Sequence, residues 1–175
     1  MTSDSVPGPP TGGERPFSAA FAGPRPQPLP EPLPVPDAVA YLAGRWRVAR
    51  EMRDAGSGHA GRFTGYAEFR AADDGTGEWL HSEEGVMEWA GAAREARRVL
   101  RLAPLGDGTA SVSFEDGRPF HELDLRQGRW SATHPCAADR YEGEFTVVSP
   151  DEWHLRWEVR GPAKDYVLSS VYVRM

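Results

Sequence analysis

One cysteine, one lysine and no long apolar run set the first limits on this chain. Cys136 stands alone, so no disulfide can form within the chain. Lys164 is the single lysine, and arginine carries the rest of the positive charge. The formal net charge is −6, and no basic patch with interleaved aromatics stands out, which argues against nucleic acid as a partner. No apolar stretch approaches the ~20 residues of a membrane helix. The first residues lack the basic start and apolar core of a secretory signal, so a cytoplasmic protein without membrane insertion is expected. No Gly-x-Ser-x-Gly elbow, phosphate loop or dinucleotide fingerprint occurs. The run Gly106–Ser111, GDGTAS, reads as a hairpin turn.

Proline is abundant at one end and scarce elsewhere. Residues 1–36 hold 11 of the 16 prolines, and from Pro24 to Pro36 proline takes every second position. Such a segment favours an extended polyproline-II-like chain and excludes helix and inner strand, so residues 1–36 are expected to be a disordered tail. A peptide for a proline-recognition groove is the alternative use of that composition.

The folded domain is expected from Asp37 to residue 175. Asp37 is placed to cap a short helix, Ala38–Ala43, and Gly44 to end it. Beyond Gly44 the apolar period switches to two. Ten strands follow, near Trp46–Arg53, Arg62–Ala71, Glu78–Trp89, Ala96–Ala103, Ala110–Glu115, Pro119–Arg126, Arg129–His134, Arg140–Val148, Trp153–Arg160 and Lys164–Arg174. Gly, Asp or Pro marks almost every junction, as in an antiparallel meander. The predicted fold class is all-β, a ten-stranded antiparallel up-and-down calycin-like barrel with one short N-terminal helix, since closure removes exposed edges.

Alternation assigns the inner face. Trp153, Leu155, Trp157 and Val159 share one side of their strand. Tyr141, Gly143, Phe145 and Val147 share another, as do Phe63, Gly65, Ala67 and Phe69. The small members Gly65, Ala67, Ala132 and Gly143 suggest room inside. A two-residue turn at Gln127-Gly128 would oppose Leu125 to Trp130, Leu123 to Ala132 and His121 to His134, ending an apolar face in two adjacent imidazoles.

The run LAGRW, Leu42–Trp46, resembles the first-strand Gly-x-Trp signature of lipocalins and their calycin relatives. The resemblance implies a Trp46 that plugs the closed end and a late arginine, here Arg174, packed over its ring. Asp165-Tyr166 resembles part of the same families' Thr-Asp-Tyr segment. LHSEEGVME, Leu80–Glu88, is similar to the His-x-Glu-x-Gly segment of nitrobindin-like ten-stranded barrels, through His81, Glu83 and Gly85. That family's haem-ligating histidine lies in the last strand pair, and Ala163–Met175 contains none, so this likeness implies a fold and no haem ligand. FEDGRPFHELDL, HPCAADRYEG and RGPAKDY also resemble an uncharacterised family of small bacterial barrel proteins, which implies a fold and no chemistry.

Two arginines fall on inner-face positions: Arg50 with Trp46, Val48 and Met52, and Arg98 with Ala96, Leu100 and Leu102. A guanidinium in an apolar lumen needs an anion. A ligand carboxylate, phosphate or enolate would serve, as would an internal ion pair with Glu83, Glu84 or Asp139. The histidines His121 and His134 suit an acid/base pair, a ligand contact, a metal site completed by Cys136 or Asp139, or a purely hydrogen-bonded structural pair. The candidate catalytic residues are therefore His121 and His134. The candidate ligand-binding residues are Arg50, Arg98, His81, Glu83, Trp130, Tyr141 and Trp157. No metal or cofactor is expected. The expected function is binding of an amphipathic or aromatic small molecule with an anionic or polar end. An isomerase or cyclase in the same pocket, or a structural protein, is the alternative, and a homodimer is left open.

Overall fold

The computed structural model describes residues 31–162 and 164–175. The helix α1 (Ala38–Leu42) precedes ten strands: β1 (Gly44–Asp54), β2 (Ala60–Ala71), β3 (Trp79–Trp89), β4 (Ala92–Pro104), β5 (Ala110–Phe114), β6 (Pro119–Leu123), β7 (Arg129–Cys136), β8 (Asp139–Ser149), β9 (Glu152–Gly161) and β10 (Lys164–Arg174). They form one antiparallel sheet in the order β6-β5-β4-β3-β2-β1-β10-β9-β8-β7, curled into a nearly closed barrel. The alternating residues of β9, β8 and β2 point inward as their period predicts. The strand ends differ from expectation mainly at β4, which starts at Ala92. There the turn Ala90-Gly91 puts both residues at positive φ, 49° and 81°. An alanine in that conformation is uncommon, so Gly91 is the one residue that marks the turn in the sequence.

One end of the barrel is shut by α1 and Trp46. Asp37 caps α1 by accepting from the Ala40 amide at 2.8 Å. Ala38, Val39 and Leu42 are buried beneath it. Trp46 is fully buried and donates from Nε1 to the Leu42 carbonyl at 2.7 Å. Because β1 pairs with β10, Trp46 lies opposite Arg174. The Arg174 guanidinium sits 4.1 Å above the Trp46 ring and donates to the carbonyls of Ala43 and Tyr41. The cation therefore fastens the last strand over the plug.

The barrel closes without a ladder between β6 and β7, which are the two edges of the sheet. This corrects the pairings expected across Gln127-Gly128: Leu125 with Trp130, Leu123 with Ala132 and His121 with His134 do not form. The chain instead turns after Leu125, where the Gly128 amide bonds back to the Leu125 carbonyl at 2.8 Å. The N-terminal segment then lies across the gap. Leu33 donates to Val147 at 2.9 Å and Val35 to Leu125 at 3.2 Å, one on each side of the seam. Pro32, Pro34 and Pro36 have no N–H, so these are the donors the segment has there. Gly128 permits the crossing: its φ is +72°, and a Cβ there would lie 2.7 Å from the Leu33 carbonyl. Higher up the seam, the Trp130 indole donates to the Glu122 carbonyl at 2.6 Å, a side chain standing in for a ladder bond.

The rest of the proline-rich tail, residues 1–30, lies outside the described residues. Leu33–Pro36, placed in that tail by composition, is bound to the barrel, and Val35 is buried. A chain starting at Asp37 is predicted to be less stable than one starting at Glu31 by roughly 2–4 kcal/mol, for one buried valine and two backbone hydrogen bonds. Urea unfolding of the two chains checks this, and equal midpoints would contradict it.

Candidate functional site

The lumen is mostly filled. The small inner residues do not leave the room expected of them. Trp157 lies on Gly143, where a Cβ would meet its ring at 2.7 Å, and a Cβ on Gly65 would run into the Glu84 carbonyl. A cavity of about 30 Å³ remains in the middle, enough for one water-sized group. A larger cleft of about 480 Å³ lies on the rim by Trp89. There Arg62 pairs with Glu88 and Arg53 lies 3.9 Å from Glu51, so its charges are matched on the surface.

Beside the central cavity is a buried charge cluster. Glu83 of β3 is almost fully buried. Arg50 of β1 binds both its carboxylate oxygens through Nη2, at 2.8 and 3.0 Å. The Tyr172 hydroxyl of β10 donates to Oε1 at 2.5 Å. Arg50 also donates from Nε to Ser170 Oγ at 2.8 Å. Arg98 of β4 reaches Oε2 at 3.1 Å by one contact. Its side chain keeps 37% exposure, against 10% for Arg50.

The ionisation states follow from this packing. Burial opposes charge on Glu83, but Arg98, His81 and Arg50 outweigh it and hold its carboxyl well below the ordinary range. Burial likewise opposes charge on Arg50, and Tyr172 and Glu83 overcome it, so its guanidinium stays protonated. Burial above all, then Glu83, pushes the Tyr172 hydroxyl upward and keeps it a donor. His81, stacked on Phe69 at 4.1 Å, is lowered chiefly by burial and is neutral near pH 7. Two guanidiniums thus share one carboxylate.

Three buried side-chain polar atoms lack a partner among the described residues: His81 Nε2, Arg98 Nε and Trp153 Nε1. All three residues line the central cavity. His81 Nε2 stands 3.4 Å from Glu83 Oε1, too far for a good hydrogen bond. Arg and Trp side chains can only donate. Arg98 Nε and Trp153 Nε1 are thus two buried donors without an acceptor, on residues that line this cavity.

His121 lines the same cavity. Its Nδ1 lies 2.7 Å from the Glu122 carbonyl, so Nδ1 carries the proton in the neutral ring and Nε2 is left with a lone pair. Burial, then the positive field of Arg98, lowers its pKa to about 4. His134 sits nearer the open mouth, edge-on to Phe120 at 5.0 Å and to Tyr141 at 5.9 Å. Tyr141 receives the Lys164 ammonium at 3.3 Å, and Lys164 pairs with Asp139 at 2.6 Å. Cys136 is exposed. Among the described residues no three His, Cys, Asp or Glu side chains gather.

The structure thus brings Arg50, Arg98, His81, Glu83, His121 and Trp157 together around the lumen. Trp130 lies in the seam, and His134 and Tyr141 lie toward the mouth. Tyr172, Ser170, Trp153 and Phe120 belong to the site although of these the sequence places only Trp153 on an inner face, and none among the candidate site residues. The first three sit on inner-face positions of β10 and β9, where parity was the available signal.

Glu83→Gln is predicted to destabilise the fold by about 3–5 kcal/mol, because it strands two guanidiniums without a counter-charge. Since Glu83 is depressed in the native state, its contribution is present above the ordinary carboxylate range and is lost as pH falls through its lower native value. His121 is also depressed. The unfolded chain takes up a proton near pH 6.5, while the native ring resists to about 4, so stability falls with pH across that window. His121→Gln is predicted to flatten that part of the profile. A pH series of urea midpoints checks both, and an unchanged slope in the variant would contradict the lowered pKa of His121.

A family of unknown function, DUF6314, matches residues 42–174, and the chain belongs to that family. No curated protein matches the chain in sequence. Among solved structures, the S-type phycobiliprotein lyase CPES from Guillardia theta is similar, with a TM-score of 0.58 and 13% identity over 78% of this chain and 90% of that one. A protein of the DUF3598 family from Nostoc punctiforme has a TM-score of 0.46 at 9% identity, covering 83% of this chain and 51% of its own. The redesigned β-barrel mFAP1 bound to DFHBI has a TM-score of 0.41 at 16% identity, over 78% and 98%. At such identity the likeness to the lyase is one of fold. No helix among the described residues is long and apolar enough to cross a membrane.

Proposed function

We propose that this member of the DUF6314 family binds a small amphipathic or aromatic molecule in its barrel, with an anionic or acceptor oxygen directed at Arg98. One observation carries the reading: the buried, unpartnered nitrogens of His81, Arg98 and Trp153 all belong to residues lining one cavity. A buried donor without an acceptor costs about 1–3 kcal/mol. A ligand carboxylate or enolate would remove that cost and balance the second guanidinium. Leu100, Leu102, Leu155 and Trp157 supply apolar walls for the remainder. The phycobiliprotein lyase of Guillardia theta shares this barrel.

The test is calorimetric titration of the full chain with naphthoate and with the uncharged naphthalene methanol. The carboxylate is expected to bind about tenfold tighter or better, the worth of one charge-assisted hydrogen bond. Arg98→Gln is expected to erase that difference. Equal affinity for the two probes, unchanged by Arg98→Gln, would contradict the reading.

A second reading, proton transfer as in an isomerase or cyclase, has one support. His121 has a defined neutral tautomer with a free Nε2, in the same cavity as Arg98. A bound anion next to Arg98 would raise the imidazole toward useful basicity. In this role Arg98 would stabilise a developing enolate. Phenylpyruvate in deuterated buffer is the probe. Faster deuterium exchange beside its carbonyl, lost in His121→Gln, would favour catalysis, and no acceleration would leave binding alone.

A further inference from the structure

We infer that the apolar part of the ligand is a flat aromatic ring, and that it takes the place Phe120 now holds against Trp157. This rests on the anion-binding reading above and adds the shape class of the ligand. A β-bulge aims the residues concerned. In the β5–β6 ladder Ser113 pairs with Pro119, but the next residue, Val112, pairs with His121. Phe120 is the extra residue. A bulge re-aims side chains, and here it turns both Phe120 and His121 into the lumen, where strict alternation would send Phe120 outside.

Phe120 already fills an aromatic slot. Its ring stacks on the Trp157 indole with centroids 5.3 Å apart and planes 18° from parallel. His121 and His134 meet it edge-on, at 4.8 and 5.0 Å, and Phe114 covers it at 4.7 Å. The floor of this slot is rigid, because Trp157 rests on the Gly143 backbone. The residue within it is carried by the edge of the sheet. Phe120 is half-buried, on a five-residue edge strand whose ladder runs on one side only. Across the seam, the Trp130–Glu122 bond holds that edge to β7. Short edge strands with few backbone bonds open at low cost.

The sizes agree. The central cavity holds only about 30 Å³, too little for a ligand. A dry cavity of about 150 Å³ accommodates benzene. Swinging Phe120 outward would free a ring-shaped slot that runs on into the donor-lined cavity beside Arg98. A planar ring bearing one carboxylate matches that composite shape. An alkyl chain fills area but forgoes the aromatic pairing, worth about 0.5–1.5 kcal/mol beyond area.

The experiment compares naphthoate with decanoate by calorimetry on the full chain, in the natural sequence and in Phe120→Ala, Phe120→Leu and Arg98→Gln. Near-ultraviolet circular dichroism selects whichever Phe120 variant keeps its packing. Naphthoate is expected to bind about three- to tenfold tighter than decanoate, from the aromatic pairing. It is expected to tighten further when Phe120 is trimmed. Decanoate binding as tightly as naphthoate, or a Phe120 change without effect while Arg98→Gln still weakens both carboxylates about tenfold, would overturn the ring inference and leave the anion reading standing. No binding of either carboxylate, with Arg98→Gln indistinguishable from the natural chain, would remove both.

Discussion

The Glu83 carboxylate is the interaction on which the interior depends. It comes from β3 and holds Arg50 of β1, Arg98 of β4 and Tyr172 of β10 around one point. Buried ion pairs are weak arguments for stability, since a packed apolar core of the same volume often does as well. Their retention in a barrel of Trp, Phe, Leu and Val calls for another reason. The count of charges supplies it. Two guanidiniums meet one carboxylate, and both imidazoles on the cavity are neutral near pH 7. The surplus positive charge lies on Arg98, the more exposed of the two guanidiniums, and in the proposed function a ligand's anionic group balances it.

Around that centre the barrel is mechanically uneven. At the closed end Trp46, α1 and Arg174 interlock through an indole–carbonyl bond, a cation over a ring and two guanidinium–carbonyl bonds. At the seam the same sheet has no ladder; an indole bond, the Phe120–His134 contact and a proline-spaced segment with two usable donors span it. Rigidity thus sits under the charge cluster and compliance beside the aromatic slot. A filled lumen and a ligand-binding role are compatible in such a molecule, because the filling group rides on the compliant edge.

Much of this was legible from residue pattern. Period-two alternation identifies the inner faces of β2, β8 and β9, and parity alone puts Arg50 and Arg98 inside. The Gly-x-Trp pair with a late arginine anticipates the Trp46–Arg174 contact. What escaped has physical causes. Tyr172 and Ser170 look like ordinary members of an alternating strand, and their role appears only when β10 pairs with β1. The bulge at Phe120 shifts a register by one residue and leaves no compositional mark. Gln127-Gly128 resembles a hairpin turn, but Leu33 and Val35, about 90 residues away in sequence, claim the carbonyl and the space that pairing would need. Gly143 reads as room, yet a glycine on an inner face equally marks where a large ring lies flat on the backbone.

The central claim is that the lumen accepts one anionic group at Arg98. A crystal structure of the full chain grown with para-bromobenzoate tests it most directly, because anomalous scattering locates the bromine independently of the protein. The account predicts the ring on Trp157 and the carboxylate within hydrogen-bond distance of Arg98 Nε. A bromine peak confined to the outer surface, with Glu83 still the sole anion near Arg98, would contradict it.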